Sequence, residues 1–493
     1  MRSRRDVLKT LGAGVAGLGL SACGLLRSKR PPNVVVILAD DLGYGDIGCY
    51  GAADIETPNL DRLAAEGLRF TDFSVPQAVC SASRAALLTG CYPNRVSVLH
   101  ALMPWAENGL NPEEETLAEL LRQRGYVCGV FGKWHLGHHP EFLPLRHGFE
   151  EYFGLPYSND MWPVGYDGIP VGPGDNKARY PWPPLIDGDR KVAEVRTPAD
   201  QDRLTELYTD RAVRFIEKNR RRPFFLYLPH SMPHVPLGVA AEFRGRSRRG
   251  PYGDVVMELD ASVGRVLAAL RAAGLDRTTL VVFLSDNGPW LNFGDHGGSA
   301  GPLREGKGTE WEGGVRVPCL VRWPGRIRPG AVCGEMASSM DILPTVAAAA
   351  GARLPRRAID GLDLLPLVLG ETASSPRDEL YYYYGTELHA VRRGRWKLHV
   401  PHGYPSYEGQ EPGRGGFPGK TVRRETGYAL YDLAGDIGER TNLVELFPDV
   451  TAGLAALAEK ARADLGDGDR PGPGVRPGGV RRPPAASPRL GSP

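Results

Sequence analysis

The sequence is poor in cysteine, with seven in 493 residues and neither a Cys-x-x-Cys pair nor a ladder of Cys and His. That excludes the common structural zinc sites, whose ligands arrive in such close pairs. No internal repeat is present, which excludes a solenoid or a propeller. Beyond the extreme N-terminus, no apolar run approaches the ~20 residues needed to cross a bilayer. A strong net charge is missing too. Removing the +6 of residues 1–30 and the +3 of residues 466–493 from the formal +2 leaves the body near −7. No long-range positive field is available to gather nucleic acid, so local groups must capture any anionic substrate. What remains is an ordinary folded composition, 42% hydrophobic and 24% charged, on a chain long enough for two or more domains.

The N-terminus reads as an address. Arg4-Arg5 precede a weakly apolar, Gly-rich stretch, and Leu20-Ser21-Ala22-Cys23 closes it. Residues 1–23 are therefore expected to be a twin-arginine, lipoprotein-type signal, cut before a lipidated Cys23. The expected location is the periplasm or cell surface, with a lipid anchor. Disulfide pairing among the other cysteines is not readable from sequence.

Asn33-Val34-Val35-Val36-Ile37-Leu38 is a continuous, β-branched run. It predicts a strand buried on both faces of a largely parallel sheet. Segments 127–131, 224–228 and 280–284 read alike, and helical spacing covers 57–66, 115–124, 205–218 and 254–273. The alternation predicts an α/β layered catalytic domain over 24–375. Short strands at 381–384, 389–393 and 396–400 and a helix at 450–465 predict a smaller α+β domain over 376–465. Residues 160–201, dense in Pro, Gly and Asp, read as a surface insertion framing a cleft. The Pro/Gly/Arg-rich stretch 466–493 reads as disordered.

The chemistry gathers at strand ends. Asp40-Asp41 follow the first strand and Asp286-Asn287 follow the fourth. In open α/β sheets ligands collect beyond the carboxyl ends of strands, so both pairs can converge on one site. Three carboxylates and an amide oxygen make a hard-oxygen set for Ca²⁺ or Mg²⁺. Cys80-Ser81-Ala82-Ser83-Arg84 heads a further helix, with Arg84 one turn on and on the same face. The helix N-terminus adds positive potential suited to an oxyanion.

Cys80-Ser81-Ala82-Ser83-Arg84 with Leu88-Thr89-Gly90 resembles the signature of the formylglycine-dependent sulfatases. Gly132-Lys133-Trp134-His135-Leu136-Gly137 resembles their second signature. The likeness spans roughly residues 32–445 and points to the arylsulfatase A and N-acetylgalactosamine-6-sulfatase branch. It implies an alkaline-phosphatase-like fold, with a large mixed sheet between helices and a small C-terminal antiparallel sheet. It implies hydrolysis of a sulfate ester, with a sulfated polysaccharide as the expected substrate, by a hydrated formylglycine made from Cys80 by a formylglycine-generating enzyme. It implies calcium, rather than magnesium, held by Asp40, Asp41, Asp286, Asn287 and residue 80. By the same resemblance Arg84, Lys133 and Lys307 neutralise the sulfate, and Lys133, Ser158, His234 and Lys307 contact substrate. Asp286 accepts or orients the proton of the attacking hydroxyl. His234, helped by Lys307, protonates the leaving oxygen, and His135 takes the proton of the second hydroxyl. Two other readings stay open at this point: a phosphonate or phosphate ester hydrolase of the same superfamily, and a lipoprotein that binds sulfated glycans without cleaving them. No His-rich second metal set is visible, which favours sulfate over the two-metal phosphatases.

Overall fold

Seven consecutive buried residues, Asn33–Ala39, form β1 at the centre of a ten-stranded sheet. The computed structural model describes residues 30–481, so Arg4, Arg5 and Cys23 lie outside the described residues. Along β1, side chains alternate between two cores as strand geometry dictates. Val34, Val36 and Leu38 join one core with the helices Cys80–Thr89, Leu117–Arg122 and Ile342–Ala350 and the C-terminal sheet. Val35, Ile37 and Ala39 join the other with Pro58–Ala65, Leu204–Asn219 and Pro251–Ala272. Each buried Val, Leu or Ile contributes about 1.5–3 kcal/mol, so these two apolar layers carry the fold.

The remaining strands of the sheet are β2 Leu68–Phe70, β3 Val127–Phe131, β4 Glu151–Gly154, β5 Pro184–Asp187, β6 Arg190–Glu194, β7 Phe224–Pro229, β8 Thr279–Ser285, β9 Cys319–Arg322 and β10 Ala331–Cys333. Their order is β10-β2-β9-β8-β1-β7-β3-β4-β5-β6. The five from β8 to β4 are mutually parallel, and antiparallel pairs flank them on both sides. A separate antiparallel sheet contains β11 Glu379–Tyr384, β12 Glu387–Arg393, β13 Trp396–His399 and β14 Ala429–Asp432, with the helix Pro448–Leu465 beside it.

Two expectations change. The 160–201 segment is not wholly a surface insertion, because β5 and β6 within it extend the main sheet as its antiparallel edge. β6 is charged and mostly exposed, as edge strands commonly are, and so lacks an apolar signal. The disorder expected from Gly466 is also corrected as far as Arg481. There the chain makes two short antiparallel pairings, one with Asn108–Gly109. Arg476 donates to the Ala358 carbonyl at 2.8 Å and to Glu114 Oε2 at 2.7 Å, and its own N–H donates to the Arg95 carbonyl at 2.7 Å. Specific anchors of this kind outweigh a composition poor in apolar residues. All six cysteines among the described residues are unpaired. Among the same residues, no helix is long and apolar enough to cross a membrane.

Arg476→Ala leaves the buried Glu114 with Arg357 as its one remaining ion-pair partner among the described residues. It is expected to cost about 1–3 kcal/mol, seen as a lower thermal-unfolding midpoint of the full chain. The exposed Arg328→Ala is the control and should leave the midpoint in place. Equal midpoints for the two variants would show that the tail rests on the surface without bracing it.

Candidate active site

The site forms where β1 and β8 end together. Ala39 stands opposite Ser285, so Asp40 and Asp286 emerge side by side. The Asp41 N–H donates to Asp286 Oδ1 at 3.2 Å, and Asn287 Nδ2 donates to Asp41 Oδ1 at 2.7 Å. Asp41 takes a left-handed turn, φ +63°, that brings its carboxylate back over the strand ends.

Cys80 is the first residue of the wholly buried helix Cys80–Thr89. Arg84, one turn later and fully buried, donates to Asp286 Oδ2 at 2.9 Å, to Asp40 Oδ2 at 3.0 Å and to the Lys133 carbonyl at 2.5 Å. The Cys80 thiol donates to Asp40 Oδ1 at 3.4 Å. Asp286, expected to handle the proton of residue 80, has its oxygens engaged by Arg84 and the Asp41 N–H, while Asp40 meets the thiol through Oδ1 and Arg84 and Lys133 through Oδ2. Burial, then Asp40 beside it, pushes the thiol well up, so Cys80 as encoded is a protonated thiol.

Lys133 leaves β3 through Gly132. There φ is +140°, and a Cβ would lie 1.8 Å from the Pro229 carbonyl oxygen, so only glycine passes. Lys133 Nζ stands 2.5 Å from Asp40 Oδ2 and donates to Ser158 Oγ at 3.0 Å. Lys307 Nζ lies 2.8 Å from Asp41. Burial opposes the charge on both lysines, but Asp40 for Lys133 and Asp41 for Lys307 outweigh it, and both pKa values rise. Burial likewise works against Asp40, yet Lys133 and Arg84 hold its carboxyl below the usual range. Asp286 is pushed up by burial and by Asp40.

The two histidines are fixed in opposite senses. His135, at φ +60°, sets Nε2 3.1 Å from the Leu102 carbonyl, leaving Nδ1 buried without a partner. His234 sets Nδ1 on the Val235 carbonyl, leaving Nε2 directed at Asp41 Oδ2, 3.6 Å away. A carbonyl accepts only from N–H, so the free lone pair is Nδ1 on His135 and Nε2 on His234. Burial lowers both pKa values, aided by Lys133 at His135 and by Lys307 at His234.

A cavity of about 520 Å³ opens onto Cys80, His135, Ser158, His234 and Lys307. It thus brings together every candidate position that lies within the described residues, with Asp40, Asp41, Arg84, Lys133, Asp286 and Asn287 directly behind. Asp160, Trp290, Tyr384 and Tyr407 line it as well and were not foreseen. Tyr407 Oη donates to the Lys307 carbonyl at 2.6 Å, and Lys307 Nζ sits 4.3 Å over the Trp290 ring. Only the four-tyrosine run 381–384 carried a signal for any of these.

Three carboxylates face three cations, Arg84, Lys133 and Lys307, so a divalent cation would give the site a surplus positive charge for an anionic ester. The residues fit such an ion. Asp40, Asp41, Asp286 and Asn287 are hard oxygen donors, and Asn287 Oδ1 is buried with no hydrogen-bond partner. Asp40, Asp41, Cys80 and His234 also offer ligand atoms within 4.8 Å of one another. The oxygen set is favoured over one that includes His234, whose Nδ1 is committed to a carbonyl and whose Nε2 faces Asp41.

Such a cluster, at the carboxyl ends of an alkaline-phosphatase-like sheet, defines a hydrolase of oxyanion esters. The sulfatase family profile covers residues 32–352 and that of the C-terminal region of aryl-sulfatase covers 375–470, and the chain belongs to the sulfatase family. It is 43% identical to human arylsulfatase A over 457 residues, 90% of this chain and 87% of the relative. It is 40% identical to mouse N-acetylgalactosamine-6-sulfatase over 453 residues, 86% and 84% of the two chains. The crystal structure of the PsFucS1 sulfatase from Pseudoalteromonas sp. superposes with TM-score 0.79 at 29% identity, covering 88% of this chain and 90% of that one. The protein is an enzyme that hydrolyses sulfate esters. The family implies a formylglycine and a divalent metal.

A divalent cation added to chelator-treated protein is expected to stabilise the fold by about 2.7 kcal/mol at 100 times its Kd, read as a higher unfolding midpoint. Asn287→Leu should remove that gain. A wild-type midpoint that ignores both CaCl₂ and MgCl₂ would reject the cation site.

Proposed function

We propose that this sulfatase works through a formylglycine at position 80, made from Cys80 by a formylglycine-generating enzyme, with Ca²⁺ as its ion. The observation that carries the reading is the placement of Cys80. It heads a buried helix, its Sγ 3.4 Å from Asp40, at the base of a cavity that exposes Lys307, His135 and His234. Oxidised and hydrated, residue 80 supplies a hydroxyl nucleophile for sulfur, and the calcium ion supplies positive charge for a sulfate oxygen.

The chain's own groups do the rest. Arg84, Lys133 and Lys307 hold residue 80 and the sulfate against the charge that grows in the transition state. Ser158, bonded to Lys133, orients a sulfate oxygen. Asp40 Oδ1 orients the hydroxyl of position 80, as it accepts the hydrogen bond of the thiol, and Asp286, whose pKa burial and Asp40 raise, accepts the proton. His234 Nε2 delivers a proton to the leaving oxygen, with Lys307 nearby to stabilise it. His135 Nδ1, the free lone pair, removes the proton from the second hydroxyl of residue 80; that oxygen re-forms the aldehyde as the carbon–oxygen bond to sulfate breaks, and sulfate departs.

The substrate class we infer is a sulfated glycan. N-acetylgalactosamine-6-sulfatase names one such sugar, and the Ps i-CgsB structure, 28% identical with TM-score 0.72, contains k-i-k-neocarrahexaose. Export and a lipid tether at Cys23 fit a role in scavenging such polymers and are part of this reading.

Mass measurement of the tryptic peptide 70–84 from the native source is expected to show an aldehyde at position 80. Cys80→Ala should abolish 4-nitrophenyl sulfate hydrolysis without lowering the unfolding midpoint. An unmodified Cys80 in active enzyme would overturn the reading.

His234 acts as an acid, so its protonated form is the active one. That form is populated below its pKa, which burial and Lys307 depress under the ordinary ~6.5. The rate should therefore decline as pH rises through the acidic range. His234→Ala should remove that limb and cost ~10²-fold or more on a sugar sulfate. 4-nitrophenyl sulfate, whose leaving group needs little protonation, should lose far less, and equal losses on both would reassign the acid.

A further inference from the structure

Beside the reaction pocket lies a second cavity of about 220 Å³, and Asp160 and Trp290 are walls of both. Trp290 links them physically. His234 meets its ring edge-on at 5.4 Å, and Phe293, which lines the second cavity, meets it at 4.8 Å. The two residues after His234 line the second cavity as well. A leaving oxygen within reach of His234 Nε2 therefore directs whatever it carries toward Trp290 and Asp160.

The lining has a definite chemistry. Phe293 and Tyr166 stand 6.0 Å apart and offer aromatic surface. Tyr166 is 44% exposed at the rim, and Lys177 Nζ lies 4.8 Å from its ring. Against this apolar surface, Asp160 Oδ1 is buried with no hydrogen-bond partner. Burial opposes the charge of Asp160, but His234 and Ser158 outweigh it, so the group is a carboxylate. Asp160 lines this cavity and is only partly buried, so its carboxylate is open to an incoming hydroxyl or amide N–H. An alkyl chain would fill the space and leave that oxygen bare. A pyranose ring presents C–H groups to the aromatic rings and hydroxyls to the carboxylate.

We propose that this cavity is a second sugar subsite, which takes the hexose glycosidically joined to the sulfated residue. The natural substrate is then a sulfated disaccharide or longer glycan, and not a simple aryl or lipid sulfate. The proposal rests on the sulfatase reading above and deepens it.

The test measures hydrolysis of 4-nitrophenyl sulfate and its competitive inhibition by two probes. One is N-acetylgalactosamine 6-sulfate, and the other is the disaccharide that joins this sugar to an unsulfated hexose. With wild type the disaccharide is expected to bind ~10-fold more tightly than the monosaccharide. Tyr166→Ala, at an exposed rim position, should erase the difference, and Tyr166→Phe should keep it. Both variants should retain kcat/KM for 4-nitrophenyl sulfate. No disaccharide advantage in wild type, or one that survives Tyr166→Ala, overturns the subsite while leaving the sulfatase reading intact. Failure of wild type to hydrolyse 4-nitrophenyl sulfate would instead remove the reading beneath it.

Discussion

Arg84 is the group on which the site depends. It is fully buried between Asp40 and Asp286, two carboxylates that the sheet register forces into contact. At an effective dielectric near 20 each pair at 3 Å is worth on the order of 5 kcal/mol, against a desolvation cost of several kcal/mol for each ion. The balance is close to even, so this network is not what keeps the chain folded. It orders the site instead. Because Arg84 also binds the Lys133 carbonyl, one guanidinium ties the helix of Cys80 to the ends of β1, β3 and β8. Moving any one of these elements would strand a buried charge.

The same economy governs the histidines. Each has one ring nitrogen held by a main-chain carbonyl and the other left for chemistry, so neither needs to find its tautomer during turnover. The carbonyl that holds His135 is fixed in its own right. The Leu102 N–H donates to Ser81 Oγ at 3.0 Å, next to Cys80, and Leu110 N–H donates to the Leu136 carbonyl at 2.8 Å. The ordered tail reaches this same loop by pairing at Asn108–Gly109. Residues far apart in sequence thus converge on the orientation of one imidazole.

How much of this could be read in advance followed the strength of the local signal. Continuous apolar strands such as Asn33–Ala39 and long amphipathic helices such as Pro251–Ala272 announce themselves, and so do carboxylates placed at strand ends. β6 does not, since an exposed edge strand of charged residues has the composition of a loop. The stretch 466–481 misleads for a related reason. Its order comes from a few directional bonds of Arg476 and from backbone pairing, and composition records neither. Asp160 looks like a turn residue after Asn159. Its place in the pocket wall is visible only once Trp290 and His234, which follow it by 130 and 74 positions, are folded against the same pocket.

This unevenness separates chemistry from selection. Asp40, Asp41, Lys133, Asp286 and Asn287 stand at the ends of central parallel strands, where burial on both faces allows little geometric freedom, and the helix of Cys80 and Arg84 is tied to them. The groups that meet the rest of a substrate come from elsewhere. Asp160 and Tyr166 belong to the segment leading to the antiparallel edge, while Tyr384 and Tyr407 arrive from the C-terminal region. Those parts can change length and sequence without disturbing the register of β1 and β8. A scaffold divided in this way keeps one reaction while its outer walls decide which sulfated molecule reaches it. The specificity of this enzyme is therefore to be sought around Asp160 and Trp290, and not among the charged groups that hold the sulfate.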